Sequence, residues 1–245
     1  MIKRAIEERI HNALAKKKVV TIMGPRQVGK STLAGAMIPE DADVLEINGD
    51  NTDVQTMFVN VDDTKMKVLI GNKNFLFVDE AQKIGNVGNM LKIVAEKFDD
   101  VKVIVTGSSA FKLAEAVNES LTGRKREFRL YPLSFKEMAD ETSALEESRM
   151  IDNRLIYGYY PEVVTSPGDE KEVIKELIDS YLYKDVLEEN EIAKQDKLVR
   201  LVQALAFQIG STVSANELAG LVGVDAKTVE RYIDILEKCY IIFTL

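Results

Sequence analysis

Residues 24–31 read Gly24-Pro25-Arg26-Gln27-Val28-Gly29-Lys30-Ser31, and this pattern, Gly-x-x-x-x-Gly-Lys-Ser/Thr, constrains the chain more than any other stretch. A glycine at each end lets the backbone wrap tightly, so that consecutive N–H groups point inward at one anion. A helix starting where the loop ends adds the positive end of its dipole. The flanks meet both needs. Val19-Val20-Thr21-Ile22-Met23 is β-branched and apolar, as a buried parallel strand should be, and residues 31–37 carry helix formers. Strand, phosphate-binding loop and helix therefore follow one another. Residues Gly24 to Ser31, with Thr32 beyond them, are the expected nucleotide-binding set. Lys30 would reach the β- and γ-phosphates, and the Ser31 hydroxyl would ligate Mg²⁺.

The totals exclude several classes. A chain of 245 residues holds one large domain, or a core with a smaller appendage. Its net charge of −8 argues against a protein that coats nucleic acid, because neutralising phosphates takes clustered Lys and Arg. The single cysteine, Cys239, forbids an internal disulfide, and its apolar neighbours mark it as a core residue. One histidine, His11, builds neither a metal site nor a histidine-based triad. No apolar run reaches the ~18 residues a membrane span needs. Glu7, Glu8 and Arg9 interrupt what would be a signal-peptide core. A cytoplasmic protein without a membrane partner is expected.

Taken in order, Ile2, Ile6, Ile10 and Leu14 repeat every four residues and predict an amphipathic helix before the first strand. Lys16-Lys17-Lys18 ends it with charge complementary to the dipole. Residues 44–47, 75–78 and 101–105 read as further buried strands, with helical periodicity between them at Met90, Leu91, Val94, Ala95 and Phe98. Such alternation predicts an α/β fold with a parallel sheet, helices on both faces and ligands at the carboxyl ends of the strands. Phe128-Arg129-Leu130-Tyr131 reads as a last, edge strand stopped by Pro132. From Leu145 onward the pattern is helical, with a break across residues 158–168. Ile174, Leu177, Ile178, Tyr181, Leu182 and residues 185–187 lie on one long amphipathic helix. Three tail helices follow, at 197–209, 215–222 and 225–239, and then a strand-like run at 240–243.

Asp79-Glu80 follows the apolar run 75–78 and is the second chemical signal. An aspartate at a strand tip can hold Mg²⁺ beside Ser31. The glutamate beside it can act as general base on the attacking water. Thr106-Gly107-Ser108-Ser109 follows the next strand, where a polar residue can sense the γ-phosphate. Ser108 and Thr106 are candidates, with helix capping by Ser108 or Ser109 as the alternative. Arg124 is a candidate for stabilising transition-state charge, in cis or in trans; the alternative is a surface arginine beside Lys125 and Arg126. Residues 215–232 resemble a helix-turn-helix. The second helix, however, holds acids at Asp225, Glu230, Asp234 and Glu237 against bases at Lys227, Arg231 and Lys238. Protein binding is favoured over DNA reading. No Asn/Thr-Lys-x-Asp element of the guanine-binding kind follows the core strands, so ATP is the expected nucleotide.

The ordered set of motifs resembles a widespread prokaryotic family. It comprises 24–31, Phe-Val-Asp-Glu-Ala-Gln at 77–82, Thr-Gly-Ser-Ser at 106–109, Leu-Thr-Gly-Arg at 121–124 and Leu-Tyr-Pro-Leu-Ser-Phe at 130–135. Gly-Tyr-Tyr-Pro-Glu-Val-Val at 158–164 and Tyr-Leu-Tyr-Lys-Asp-Val-Leu at 181–187 complete it. The chain is identified as a member of the AAA-type ATP-binding proteins related to archaeal ATPases of the STAND class. The resemblance implies a P-loop ATPase core over 1–135, a helical lid over 136–195 and a winged-helix segment over 196–245 that is cut short. It also implies a C-terminal restriction-endonuclease-like domain of unknown function beyond this chain. Pro161 matches the proline that packs on adenine, although two tyrosines, not one residue, separate it from Gly158. The implied function is Mg²⁺-dependent ATP binding and slow hydrolysis, with ADP as product, nucleotide state setting the core–lid arrangement. The alternatives are a nucleotide-gated protein-interaction scaffold with negligible turnover and a winged-helix DNA-binding regulator.

Overall fold

The computed structural model describes residues 1–108, 121–181, 186 and 195–243. Helix α1 (Glu7–Ala15) leads into β1 (Val19–Met23), and the loop after β1 enters α2 (Lys30–Ala36). Then come β2 (Val44–Asn48), α3 (Thr52–Met57), α4 (Asp63–Ile70), β3 (Phe75–Asp79), a 3-10 turn (Ala81–Lys83), α5 (Val87–Lys97), β4 (Lys102–Gly107) and β5 (Lys125–Arg129). Among the described residues the strands form one five-stranded sheet in the order β2-β3-β4-β1-β5, parallel at every pairing.

The sequence explains this placement. All five residues of β1 are buried, which requires cover on both faces of the sheet. Ile10 and Leu14 of α1 and Leu33 and Ala34 of α2 pack with Val20, Ile22, Phe77, Ile104 and Phe128 of the sheet. In register, Met23 lies opposite Gly107 and Val78 opposite Val105. The carboxyl ends of β1, β3 and β4 therefore share one edge, and residues 24–31, 79–80 and 108 emerge there side by side.

Helices α6 (Phe135–Glu141), α7 (Ala144–Arg149), α8 (Ile151–Tyr157), α9 (Pro161–Thr165) and α10 (Glu170–Tyr181) follow. Ser134 and Glu137 form a reciprocal capping box at the start of α6, Ser143 caps α7, and Pro161 opens α9 at a position that needs no amide donor. The last helices are α11 (Gln195–Ala206), α12 (Ala215–Val222) and α13 (Ala226–Lys238). Contacts divide the chain into two compact units, Met1–Lys171 and Glu172–Leu245. The second has its own core, in which Leu198, Leu201, Leu218, Val222, Val229, Tyr232 and Leu236 meet. No helix among the described residues is long and apolar enough to cross a membrane.

Three expectations shift. The first helix begins at Glu7, so Ile2 stands outside it and lines a cleft instead. The edge strand runs Lys125–Arg129, earlier than 128–131. Only Phe128 of its five residues is buried, so a charged edge carries almost no apolar signal. Residues 240–243 do not form a strand. Tyr240 takes a left-handed conformation (φ 60°), and the amides of Tyr240 and Ile241 close α13 on the carbonyls of Glu237 and Leu236. This helix-ending motif occupies the donors a strand would need. Residues 182–185 and 187, expected to extend the long helix, lie outside the described residues. So does the helix that Ser108 or Ser109 would cap, in 109–120.

Candidate nucleotide site

The loop between β1 and α2 is fixed by close packing at its first residue. A Cβ on Gly24 would lie 2.0 Å from the carbonyl oxygen of Leu130, whose amide donates to Met23 O at 2.7 Å. No other residue fits there. Within the loop Lys30 is buried, 5% exposed, and its Nζ donates to Pro25 O at 2.6 Å. The ammonium group is thus folded back over the loop that would surround a phosphate. Ser31 Oγ stands 2.9 Å from both carboxylate oxygens of Asp79. Thr106 Oγ1 from β4 donates to the same carboxylate at Oδ1, as does the Glu80 amide at 3.1 Å.

Glu80 follows in a left-handed conformation (φ 47°, ψ 44°) that side-chain-bearing residues seldom adopt. It is held from two directions. Gln82 Nε2 donates to Glu80 Oε2 at 2.5 Å, and Ser108 Oγ donates to the same oxygen at 3.3 Å. Behind it, a Cβ on Gly49 would lie 2.3 Å from Glu80 O, and Gly49 N donates to Asp79 O at 2.8 Å. Gly49 is a backstop for the two acids. Gly49→Ala is expected to displace the Glu80 backbone and lower turnover roughly 100-fold, the scale of an ångström's misplacement. Nucleotide affinity should stay within a few-fold of the parent, a split read by steady-state kinetics beside equilibrium binding.

Arg4 braces the loop from outside the motif. Its guanidinium, 7% exposed, donates to Val28 O at 2.9 Å, to Tyr131 O at 2.6 Å and to Glu137 Oε1 at 3.1 Å. Burial pushes the Glu137 carboxyl up, but hydrogen bonds from the Ala5 amide, the Ser134 amide and Arg4 outweigh it, and the group lies below its ordinary 4.5. A folded value below the unfolded one gives stability that is complete above pH 4.5 and lost as pH falls through the lower folded value. Glu137→Gln should accordingly flatten the acid-side fall of the melting temperature, measured by thermal unfolding over a descending pH series.

Beside Val28, Thr32 and Leu33 lies a cleft of about 370 Å³, closed on other sides by Ile2, Leu133 and Pro161. Its volume is that of a small-molecule site. Tyr160, next to Pro161, packs on the core, and burial pushes its hydroxyl up to about 12, so it stays neutral.

Of the residues picked out from sequence, the structure brings together the loop Gly24 to Ser31, Thr32, Asp79, Glu80, Thr106 and Ser108, with Pro161 across the cleft. Arg124, for which action in cis, action in trans and a plain surface position were all open, stands apart from this group. It precedes β5, its carbonyl accepts from Val19 N at 3.0 Å, and its guanidinium pairs with Glu96 at 2.6 Å. That is the amino end of the strands, one strand length of ~16 Å from the loop. In its own chain it does not reach the site. Arg4, Gly49 and Gln82 went unassigned. Arg4 has no local signal, Gly49 sits in an ordinary-looking turn, and Gln82 gives only its spacing after Asp79-Glu80.

Ser31 and Asp79 supply two hard oxygen donors already within 2.9 Å of each other, a set that suits Mg²⁺. Among the described residues no group of three or more His, Cys, Asp or Glu could hold a metal alone.

The chain spans about half the length of the curated relatives it matches. An uncharacterized protein of Methanocaldococcus jannaschii is 24% identical and covers 99% of this chain and 59% of its own length. One from Haemophilus influenzae is 25% identical, covering 70% and 45%, and one from Mycobacterium tuberculosis is 24% identical, covering 98% and 52%. Among solved structures, the replication initiator DnaA bound to AMPPCP and single-stranded DNA aligns with 97% of this chain and 90% of that chain, at a TM-score of 0.41 and 14% identity. Pif1 helicase from Candida albicans aligns with 71% and 47%, at a TM-score of 0.38 and 14% identity. Residues 148–245 match a domain of unknown function (DUF8612). Residues 16–139, just over half of the chain and including the loop and all five strands, match the family described as AAA domain, and the chain belongs to that family of P-loop nucleotide-binding folds.

Proposed function

We propose that the protein binds ATP with Mg²⁺ and hydrolyses it slowly, and that nucleotide state sets the arrangement of the core and the helices after it. The observation that carries this reading is the joined set of hydrogen bonds linking Ser31, Asp79, Thr106, Glu80, Gln82 and Ser108 at one sheet edge. A site for binding alone needs the loop and a metal-side carboxylate. It does not need a second carboxylate held by two further side chains, Gln82 and Ser108. In this proposal Lys30 leaves Pro25 O for the phosphates, Ser31 and Asp79 hold the cation, Glu80 takes a proton from water and Ser108 senses the γ-phosphate. The cation supplies charge neutralisation on the phosphate oxygens. The cleft at Pro161 receives the adenine. Arg124, exposed at the other end of the sheet, can act only on a site in another copy.

We assign the helices of 136–195 to a nucleotide-responsive lid and 196–245 to a winged-helix segment. Glu137 and Pro161 support the first assignment, because they join helices α6 and α9 to the nucleotide loop and its cleft. For the second unit a protein surface is favoured over DNA. Arg231 of α13 stacks on Tyr232 at 5.3 Å and Lys238 pairs with Asp234 at 2.7 Å, while Phe207 and Ile209 are 92% and 84% exposed. We place the protein in the STAND class, and its longer relatives' additional length in the nuclease-like domain that the motifs imply.

A single-turnover assay with protein in excess over ATP tests the core of this reading. ADP should form only with Mg²⁺ present. ATP that stays bound and uncleaved over hours would replace it with the scaffold reading.

A further inference from the structure

The hydrogen bonds that fan out from the Arg4 guanidinium are not equivalent. Nε donates to Glu137 Oε1 at 3.1 Å, Nη2 to Tyr131 O at 2.6 Å and Nη1 to Val28 O at 2.9 Å. Glu137 has other donors, since the Ala5 amide reaches its Oε1 at 2.8 Å and the Ser134 amide its Oε2 at 2.8 Å. Tyr131 is half exposed, with water close at hand. Val28 is wholly buried, and its carbonyl belongs to the phosphate loop itself, one residue before Gly29. A buried carbonyl that loses its donor is costly, because no water replaces the lost bond. Arg4 therefore matters most at the acceptor that lies in the loop.

The peptide between Val28 and Gly29 is planar and trans, so its carbonyl and its N–H point in opposite directions. With Val28 O turned outward onto Arg4, the Gly29 N–H faces the inside of the loop. Gly29 is left-handed there (φ 89°) and passes directly into α2, where its carbonyl accepts from Leu33 N at 2.9 Å. Taking the loop as the nucleotide site proposed above, we infer that Arg4 is a positioning residue for phosphate binding. It acts through the Val28–Gly29 peptide, holding it so that the Gly29 N–H donates to a phosphate oxygen. The cationic donor at one end of the peptide also polarises it and strengthens the N–H at the other. Lys30 behaves differently: it leaves Pro25 O for the phosphates, whereas Arg4 stays on Val28 O throughout. Without Arg4 the Val28 carbonyl gains a partner only by turning toward the loop's interior, where water enters. That turn puts an acceptor where the phosphate needs a donor.

Two variants of the 245-residue chain divide the roles of Arg4. Arg4→Gln removes only the Nη groups, because the glutamine Nε2 falls where the arginine Nε stood and keeps the bond to Glu137. Glu137→Gln does the converse, removing the ion pair and leaving Val28 O its donor. Arg4→Gln is expected to weaken the Kd for ATP with Mg²⁺ by roughly 10–100-fold, the scale of one hydrogen bond to a charged group. Glu137→Gln should stay within a few-fold, even where its melting temperature falls as far. By NMR, saturating ADP with Mg²⁺ should move the Gly29 amide proton downfield in the parent, and little or not at all in Arg4→Gln. Arg4→Lys, whose ammonium ends a bond length short of the Nη positions, repeats the test should Arg4→Gln fail to fold. Affinity that follows melting temperature alike in both variants overturns the inference, as does parental affinity in a folded Arg4 variant. So does weakened binding with the Gly29 shift intact, which would place the effect in the cleft that Arg4 also lines. A parent that binds no ATP overturns the nucleotide reading and this inference with it, whereas a binding parent whose Gly29 proton does not move overturns the inference alone.

Discussion

Replacing Lys30 by alanine is expected to weaken ATP binding by about 3–4 kcal/mol, or roughly two to three orders of magnitude in Kd. The ammonium is folded back onto the loop itself, 2.6 Å from Pro25 O. When it is removed, the amides and the helix dipole face the phosphates without a full positive charge. The fold should survive, because the packing of α2 on the sheet depends on Leu33 and Ala34 rather than on Lys30. Titration with a fluorescent ATP analogue reads the loss, and an unchanged melting temperature separates it from unfolding. A Kd within a few-fold of the parent would remove the loop from the nucleotide site.

Glu80→Gln produces the complementary result. Binding should be retained while turnover falls roughly 10²–10⁴-fold, the usual contribution of a positioned general base. The amide keeps the shape of the carboxylate and can still present an oxygen to Gln82 Nε2, so the local geometry has no reason to collapse. It cannot take a proton from water. A variant that binds ATP and cleaves it at the parent rate would remove Glu80 from the chemistry. Together the two substitutions test the proposed site in its two parts, binding through Lys30 and catalysis through Glu80.

The central strands were legible because they are buried on both faces. Val19–Met23 and Phe75–Asp79 are near-continuous apolar runs, and the residues at their tips could be assigned chemistry from position alone. The edge strand leaves little signal because four of its five residues are charged and its pairing with β1 leaves no periodic trace. The same non-local pairing explains Arg124. Its distance in sequence from the loop says nothing about which end of a strand it occupies, and only the parallel register places it at the amino end. The supports of the site were illegible for another reason. Arg4 acts through backbone carbonyls at Val28 and Tyr131, and carbonyls have no sequence. Gly49 is needed because of a carbonyl at Glu80 that comes near it only once β2 and β3 are paired.

The contact of Gly24 with Leu130 has a consequence for the order of folding. The loop is contiguous in sequence, yet its first residue is closed by the exit of the strand that pairs with β1 at Val19↔Lys125 through Met23↔Arg129. Contacts so distant along the chain form late, after the entropy of closing long intervening loops has been met. On a ribosome, the segment carrying the motif emerges early and waits, a phosphate loop in sequence only. It acquires its closed wall when the residues near 130 have been made and the edge strand has docked.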